Sequence, residues 1–375
     1  MCDGGARLFD TDDPYTVSFI RGLQEFSRYY SSVHGGICMV ICVFGIISNL
    51  VHILVLTRAP LRRCAVNCVL TAVAVCDVLT MSSYIVYLLR FRFLANEEGY
   101  SYIWIAYLLS HAVFTIALHS ITLYMGVALA FIRWQALGNV QSKWLLPSSA
   151  WKMFGISTVV VSVLCIPTML VHTIVKMPMN ALPSIAEPAT LIVDQLYTLD
   201  MVQDACSLFQ VNLWLTAIFL KAIPCVLLLW FTFALVSKLR DTDIKRNDLY
   251  SKSFRKHMRK TTVPDKTTYM LVIMISVFLA TELPQGFLAL LNGVYAADVH
   301  RFIYVNVGDL LDLLSLLNCS VDCFLYCAMS SRYRHTFNHI LIRAESWLRK
   351  KKEERLNAKE WHKQYNYSAG QIVAV

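Results

Sequence analysis

The sequence predicts an all-α membrane protein, a bundle of seven transmembrane helices followed by a short amphipathic helix. Three observations predict it. Of 375 residues, 57% are hydrophobic and only 16% charged, with a mean hydropathy of +0.51, whereas a soluble domain carries about 25% charge. Seven apolar segments are each long enough to cross a ~30 Å hydrocarbon core at ~1.5 Å per helical residue. The segments between them alternate between strongly basic and weakly charged.

The spans are expected at Val33–Thr57, Val66–Leu89, Ile103–Ile132, Lys152–Val175, Val211–Val236, Tyr269–Tyr295 and Phe302–Met329. The loops at 58–65, 133–152 and 238–266, with the tail from Ser330, hold 26 of the 34 Lys and Arg residues. The positive-inside bias therefore places the N-terminus outside and the C-terminus in the cytosol. The same distribution turns the net charge of +9 toward the inner leaflet rather than toward nucleic acid. Residues 1–32 are read as an extracellular tail, 33–329 as the membrane domain, 330–346 as a helix on the membrane surface and 347–375 as a cytoplasmic tail. Residues 1–30 carry acids and lack an uninterrupted apolar core, so the first span is expected to act as its own insertion signal. The outer loop Thr173–Gln210, with three prolines and four acids, is expected to cover the bundle as a lid. The inner loop 238–266 extends the fifth span as a solvated helix. In SSRYRHTFNHILIRAESWL, basic residues face away from Tyr333, Phe337, Ile340 and Leu341, which is the pattern of a helix lying on anionic lipid headgroups. No internal repeat is present, which argues against an inverted-repeat transporter.

The most informative stretch is Thr267–Tyr295, in which Glu282 is the only charged residue. An ionised carboxylate at that depth is costly by several kcal/mol. Pro284 follows two residues later and cannot donate its amide, so a kink is expected there. Lys221, three residues before Pro224, is likewise alone in its span; it should face the interior and pair with Glu282. Asp309 and Asp312, three apart, share one helical face. His111 and His119 lie about two turns apart, too far for a metal pair of HExxH type, and read as packing or pocket residues. Most of the twelve cysteines fall within spans as packing residues; Cys2 and Cys206 are the outer-face thiols, either bonded to each other or leaving Cys206 free. No activated serine or cysteine, phosphate loop or zinc spacing is visible, so the chain does not read as an enzyme.

Five features in order carry a resemblance: Asn49 in GIISNLVHILVL, Asp77 in LTAVAVCDVLT, Arg133 in FIRW, the prolines Pro224 and Pro284, and DCFLY at 322–326. Across all seven spans the sequence resembles a rhodopsin-like G-protein-coupled receptor. The stretches SHAVFTIALHSITLYMGVALAFIRW, KAIPC, DKTTYMLVIMISVFLATELPQG and GDLLDLLSLLNCSVDCFLYCAMSSRYRHTF narrow it to the myosuppressin and FMRFamide-like peptide receptors, the nematode serpentine receptor class w. TELPQG is the most specific piece, standing where other rhodopsin-like receptors carry CWxP. Leu108 stands where most relatives have a cysteine that pairs with the outer loop, Ile132 where they have an acid, Thr232 where they have a tyrosine, and Cys323 at the proline of NPxxY.

That resemblance implies a multi-pass plasma-membrane receptor for an amidated RFamide-type neuropeptide, coupled to a heterotrimeric, inhibitory G protein. Membrane lipids and an arrestin are further partners it implies. The guanidinium of a C-terminal Arg-Phe-amide suits two carboxylates, so Glu282, Asp309 and Asp312, with Lys221, Gln285 and His111, form the expected ligand set; internal ion pairing is the competing use of the acids. Arg133, Pro224, Pro284 and Tyr326 are implied to carry activation. Asp77, Asn49, Thr122, Asn318 and Asp322 are implied to converge in a hydrated cluster, either waters alone or a sodium ion held at Asp77; no other cofactor is expected. A chemosensory receptor for a small molecule and an ion-coupled transporter using Glu282, Lys221 and Asp77 are the alternatives.

Overall fold

The computed structural model describes residues 7–95, 99–139, 141–177, 196–202, 205–252, 266–295 and 298–372. Within the unit Met1–Met329, seven helical segments are long and apolar enough to cross a membrane: Pro14–Leu56, Ala65–Phe93, Tyr102–Gly138, Pro147–Val171, Cys206–Thr242, Ser276–Val294 and Val299–Ala328. They are taken below as spans one to seven.

The first helix begins well before the apolar run. Asp13 caps it, its Oδ2 accepting from the Thr16 amide at 2.9 Å and the Thr16 hydroxyl at 3.0 Å, and Pro14 supplies a pre-set φ at the first helical position. Residues 14–32, expected as part of a tail, are therefore helical. The fifth span continues to Lys252, as the charged helical extension that the sequence suggests; residues 253–265 lie outside the described ones. The sixth helix runs Lys266–Val294, continuous through Pro284.

Three spans contain wide, π-type turns: Leu88–Phe93, Thr216–Ala222 and Val299–Tyr304. Such turns insert one extra residue and re-aim the side chains that follow. The turn at Thr216–Ala222 ends just before Pro224, which has no amide proton to return to the preceding turn. The Tyr124 hydroxyl of the third span donates instead to the Phe219 carbonyl, at 2.6 Å.

Between spans four and five, β1 (His172–Lys176) and β2 (Tyr197–Met201) pair antiparallel, His172 opposite Met201 and Lys176 opposite Tyr197. Tyr197 also bridges to Tyr100, just before the third span. The expected lid thus contains a two-stranded hairpin, and its prolines fall among residues 178–195, outside the described ones. This end of the bundle is called the hairpin end below.

Spans one, two and seven meet over Cys38, Cys42, Met81, Tyr84, Leu88, Leu316 and Cys319. Gly45 permits their approach: a Cβ there would lie 2.4 Å from Met81 Sδ and 2.7 Å from Ser320 Oγ. Spans three, five and six meet over Val127, Ala130, Leu228, Leu235 and Leu279. A separate unit, Ser330–Val375, is one helix over Ser331–Ile372. The amphipathic stretch and much of the expected tail share that helix, in which Ile342, Trp347 and Leu348 are exposed.

Candidate functional site

Glu282 and Gln285 are both buried, while Leu283 and Pro284 between them are exposed, as helical spacing requires when one face looks into the bundle. The Glu282 carboxylate is wholly buried, and a buried charge must be compensated by partners. His119 Nε2 of the third span lies 2.9 and 3.0 Å from its two oxygens. Lys221 Nζ of the fifth lies 3.2 Å away, and Asn318 Nδ2 of the seventh donates at 3.4 Å. Lys221 also donates to Gln285 Oε1 at 3.0 Å, and Gln285 Nε2 passes the chain on to Ser315 Oγ at 2.9 Å. One carboxylate thus ties four spans together. The Lys221–Glu282 pair read from the sequence is present; His119, read as a packing or pocket residue, is its second basic partner.

The other two acids sit nearer the hairpin end, between spans one, two and seven. Asp309 is held by Arg92, which ends the second span within its wide turn and whose Nη1 also donates to Ser31 Oγ at 2.8 Å. His34 Nε2 lies 3.9 Å from the same carboxylate and 3.0 Å from the Tyr84 hydroxyl. Asp312 is different. Its Oδ2 accepts from the Tyr84 hydroxyl at 3.1 Å, yet the residue is exposed. Its bond to the buried Tyr84 puts the carboxylate on the side of the seventh span that meets the second.

An aromatic wall adjoins this acid. His111 lies 6.0 Å, centroid to centroid, from Tyr84 and stacks on Tyr87 at 5.2 Å and Tyr107 at 5.8 Å. Ser83 Oγ fixes the His111 ring at 2.6 Å from Nδ1. Arg90 lies over the rings of Tyr100 and Trp104, at 4.8 and 5.2 Å. His34, Tyr84 and Arg92 go unmentioned in a reading of motifs. The signal that finds them is an ionisable group, or a polar tip, within or at the end of an apolar run.

Of the expected water or ion cluster, Asp77 and Asn49 are buried. Asn49 Nδ2 donates to the carbonyls of Gly45 and Cys319, at 2.9 and 2.8 Å, and its buried Oδ1 has no partner among the described residues. The Thr122 hydroxyl turns back to the His119 carbonyl of its own helix, and Asn318 goes to Glu282, so of these two Asn318 joins the core carboxylate. The Asp322 side chain lies outside the described residues. Asp77 and Asn49 each offer oxygens of the hard type that a sodium ion takes. Among the described residues, no group of three or more His, Cys, Asp or Glu is arranged for a metal ion.

At the far end, Arg133 is partly exposed in the last turns of the third span, and no partner of its Nε lies among the described residues. Lys238 of the fifth span caps this helix end, donating to the Trp134 carbonyl at 3.3 Å and lying 4.8 Å over its ring. Tyr326 donates to Asn67 Oδ1 at 3.1 Å, joining spans seven and two. Pro224 is buried and Pro284 exposed. Cys206 is disulfide-bonded rather than free; Cys2 lies outside the described residues.

Residues 37–344 match the family described as serpentine type 7TM GPCR chemoreceptor Srw. The chain is 28% identical to the G-protein coupled receptor dmsr-1 of Caenorhabditis elegans, over 85% of this chain and 70% of that protein. It is 21% identical to the Sex peptide receptor of Drosophila melanogaster, over 91% of this chain and 79% of that protein.

Proposed function

The chain belongs to the Srw family of serpentine, rhodopsin-like G-protein-coupled receptors, and from that premise we propose that its ligand is an amidated peptide of RFamide type, signalling through an inhibitory G protein. As a G-protein-coupled receptor it is a multi-pass plasma-membrane protein that takes an extracellular ligand and a heterotrimeric G protein. In the proposed reading the hairpin end faces outward and the Ser331–Ile372 helix lies in the cytosol, as the basic loops favour.

The observation that carries the ligand reading is Asp312: an exposed acid whose carboxylate meets the second span at Tyr84, beside a stack of Tyr87, His111 and Tyr107. A guanidinium suits the acid through charge-assisted hydrogen bonds, and an aromatic side chain suits the stack. Asp312, which accepts from a neutral hydroxyl, would repel a free C-terminal carboxylate and not an amide. A relative named for its peptide ligand adds support. Glu282 is then the relay beneath the ligand rather than a direct contact, because its carboxylate is already fully engaged.

In this scheme the ligand, pressing on the seventh and second spans, disturbs the Gln285–Ser315 and Lys221–Glu282 links. The sixth helix moves, with Pro284 as its weak point, and Arg133 receives the G protein. Asp77 with Asn49 would hold a sodium ion in the resting state, through the hard oxygens that such an ion takes. Arg133→Ala is expected to abolish signalling at normal surface expression. A cAMP readout in cells given a library of amidated peptides tests the ligand class; activation by small odorants and by no peptide would favour the chemoreceptor reading that the family's description keeps open.

A further inference from the structure

The second span ends in Leu88-Leu89-Arg90-Phe91-Arg92-Phe93, so the receptor carries an Arg-Phe pair of its own at the place where an Arg-Phe ligand is proposed to bind. Arg92 already occupies Asp309, the neighbour of the open Asp312 on the same helix face. The pair is reachable, with side chains 29% and 24% exposed. Phe93 is 52% exposed and borders Gly35 of the first span, where a Cβ would lie 3.6 Å from its ring. Both residues sit in a wide turn, a helix geometry that recurs at functional sites.

From these facts we infer that Arg92-Phe93 is a tethered competitor, which fills half of the acid site in the resting receptor and must be displaced by ligand. The inference rests on the peptide reading above. It explains why two acids one turn apart are treated differently. Asp312 makes the first capture of a guanidinium; Asp309 is withheld until Arg92 leaves. Arg92 is a positioning residue in this scheme, acting on the ligand through Asp309, and its other contact, Ser31, anchors the closed arrangement to the first span.

A plain staple between spans makes the opposite prediction, and this separates the two. Full-length receptor in cells is titrated with a peptide ending in Arg-Phe-amide, at matched surface expression. Arg92→Gln is expected to lower the EC50 about tenfold, because the competent state no longer competes with an internal occupant. Arg92→Gln combined with Asp309→Asn is expected to lose that gain, since the acid that was freed is gone. An unchanged or raised EC50 in Arg92→Gln overturns the inference, and so does a gain that survives Asp309→Asn. Should the peptide activate neither wild type nor variant, the peptide reading falls. Basal nucleotide exchange then decides for Arg92 alone: a rise retains it as a brake on the resting receptor, and no change overturns that too.

Discussion

Two groups of intramembrane acids stand a few turns apart, and their surroundings could hardly differ more. Glu282 is wholly buried and bound by His119, Lys221 and Asn318. Asp312 accepts one neutral hydroxyl and remains exposed. Asp309 lies between these extremes, paired with Arg92 yet partly open. The same chemical group is therefore used three ways. With two basic partners and no access it holds helices together; with a neutral partner and access it waits for a cation from outside. Number and sign of partners, together with access, separate a structural carboxylate from a receiving one.

The sharpest way to break this comparison is to discharge the core. Glu282→Gln leaves the partly buried Lys221 against an amide, and stripping one member from a buried pair costs up to about 3–5 kcal/mol. That is a large part of a typical stability of about 5–15 kcal/mol. Surface expression should fall severalfold and the melting temperature in detergent should drop. Exchanging the charges, Lys221→Glu with Glu282→Lys, should recover part of that expression, and a double variant no better than the single ones would show that the pair is not coupled. Discharging the open acid should do the reverse. Asp312→Asn keeps an acceptor for Tyr84 and leaves no cation stranded, so expression should hold. Losing a charged hydrogen bond worth about 1.5–3 kcal/mol should raise the peptide EC50 by roughly 10- to 100-fold. If Asp312→Asn also destabilises the receptor as Glu282→Gln does, the distinction between the two acids is lost.

What the sequence makes legible follows the same physics. Apolar runs of membrane length announce the spans. Lys221 and Glu282 each stand alone in such a run, so their pairing is close to forced. The partnership of His119 is hidden, because a neutral imidazole is tolerated in a core and one-dimensional spacing does not say which helix it faces. The Arg92–Asp309 contact is hidden for a different reason: the wide turn at Leu88–Phe93 re-aims Arg92, and no local pattern marks that extra residue. The helical start at Pro14 escapes a hydropathy reading because residues 14–32 are too polar, although Asp13 followed by Pro14 is a start signal in itself.

Asp13 extends the comparison to a third setting and to the smallest expected effect. It is a carboxylate at a helix start, outside the spans, and its pKa is lowered chiefly by the hydrogen bond from the Thr16 amide, with the Thr16 hydroxyl adding to it. A lowered folded-state pKa means that the ionised form is favoured by folding. The contribution is therefore complete above the ordinary carboxylate range and disappears as pH falls through the lowered value. Asp13→Ala should loosen the first turn, read as faster amide exchange over residues 15–18 at neutral pH, while peptide EC50 and surface expression stay as they are. Wild type and variant should converge as the solution is acidified below that range. A difference that persists in acid would mean that the capping geometry, not the charge, fixes the helix start, and that a third use of the carboxylate need not be invoked.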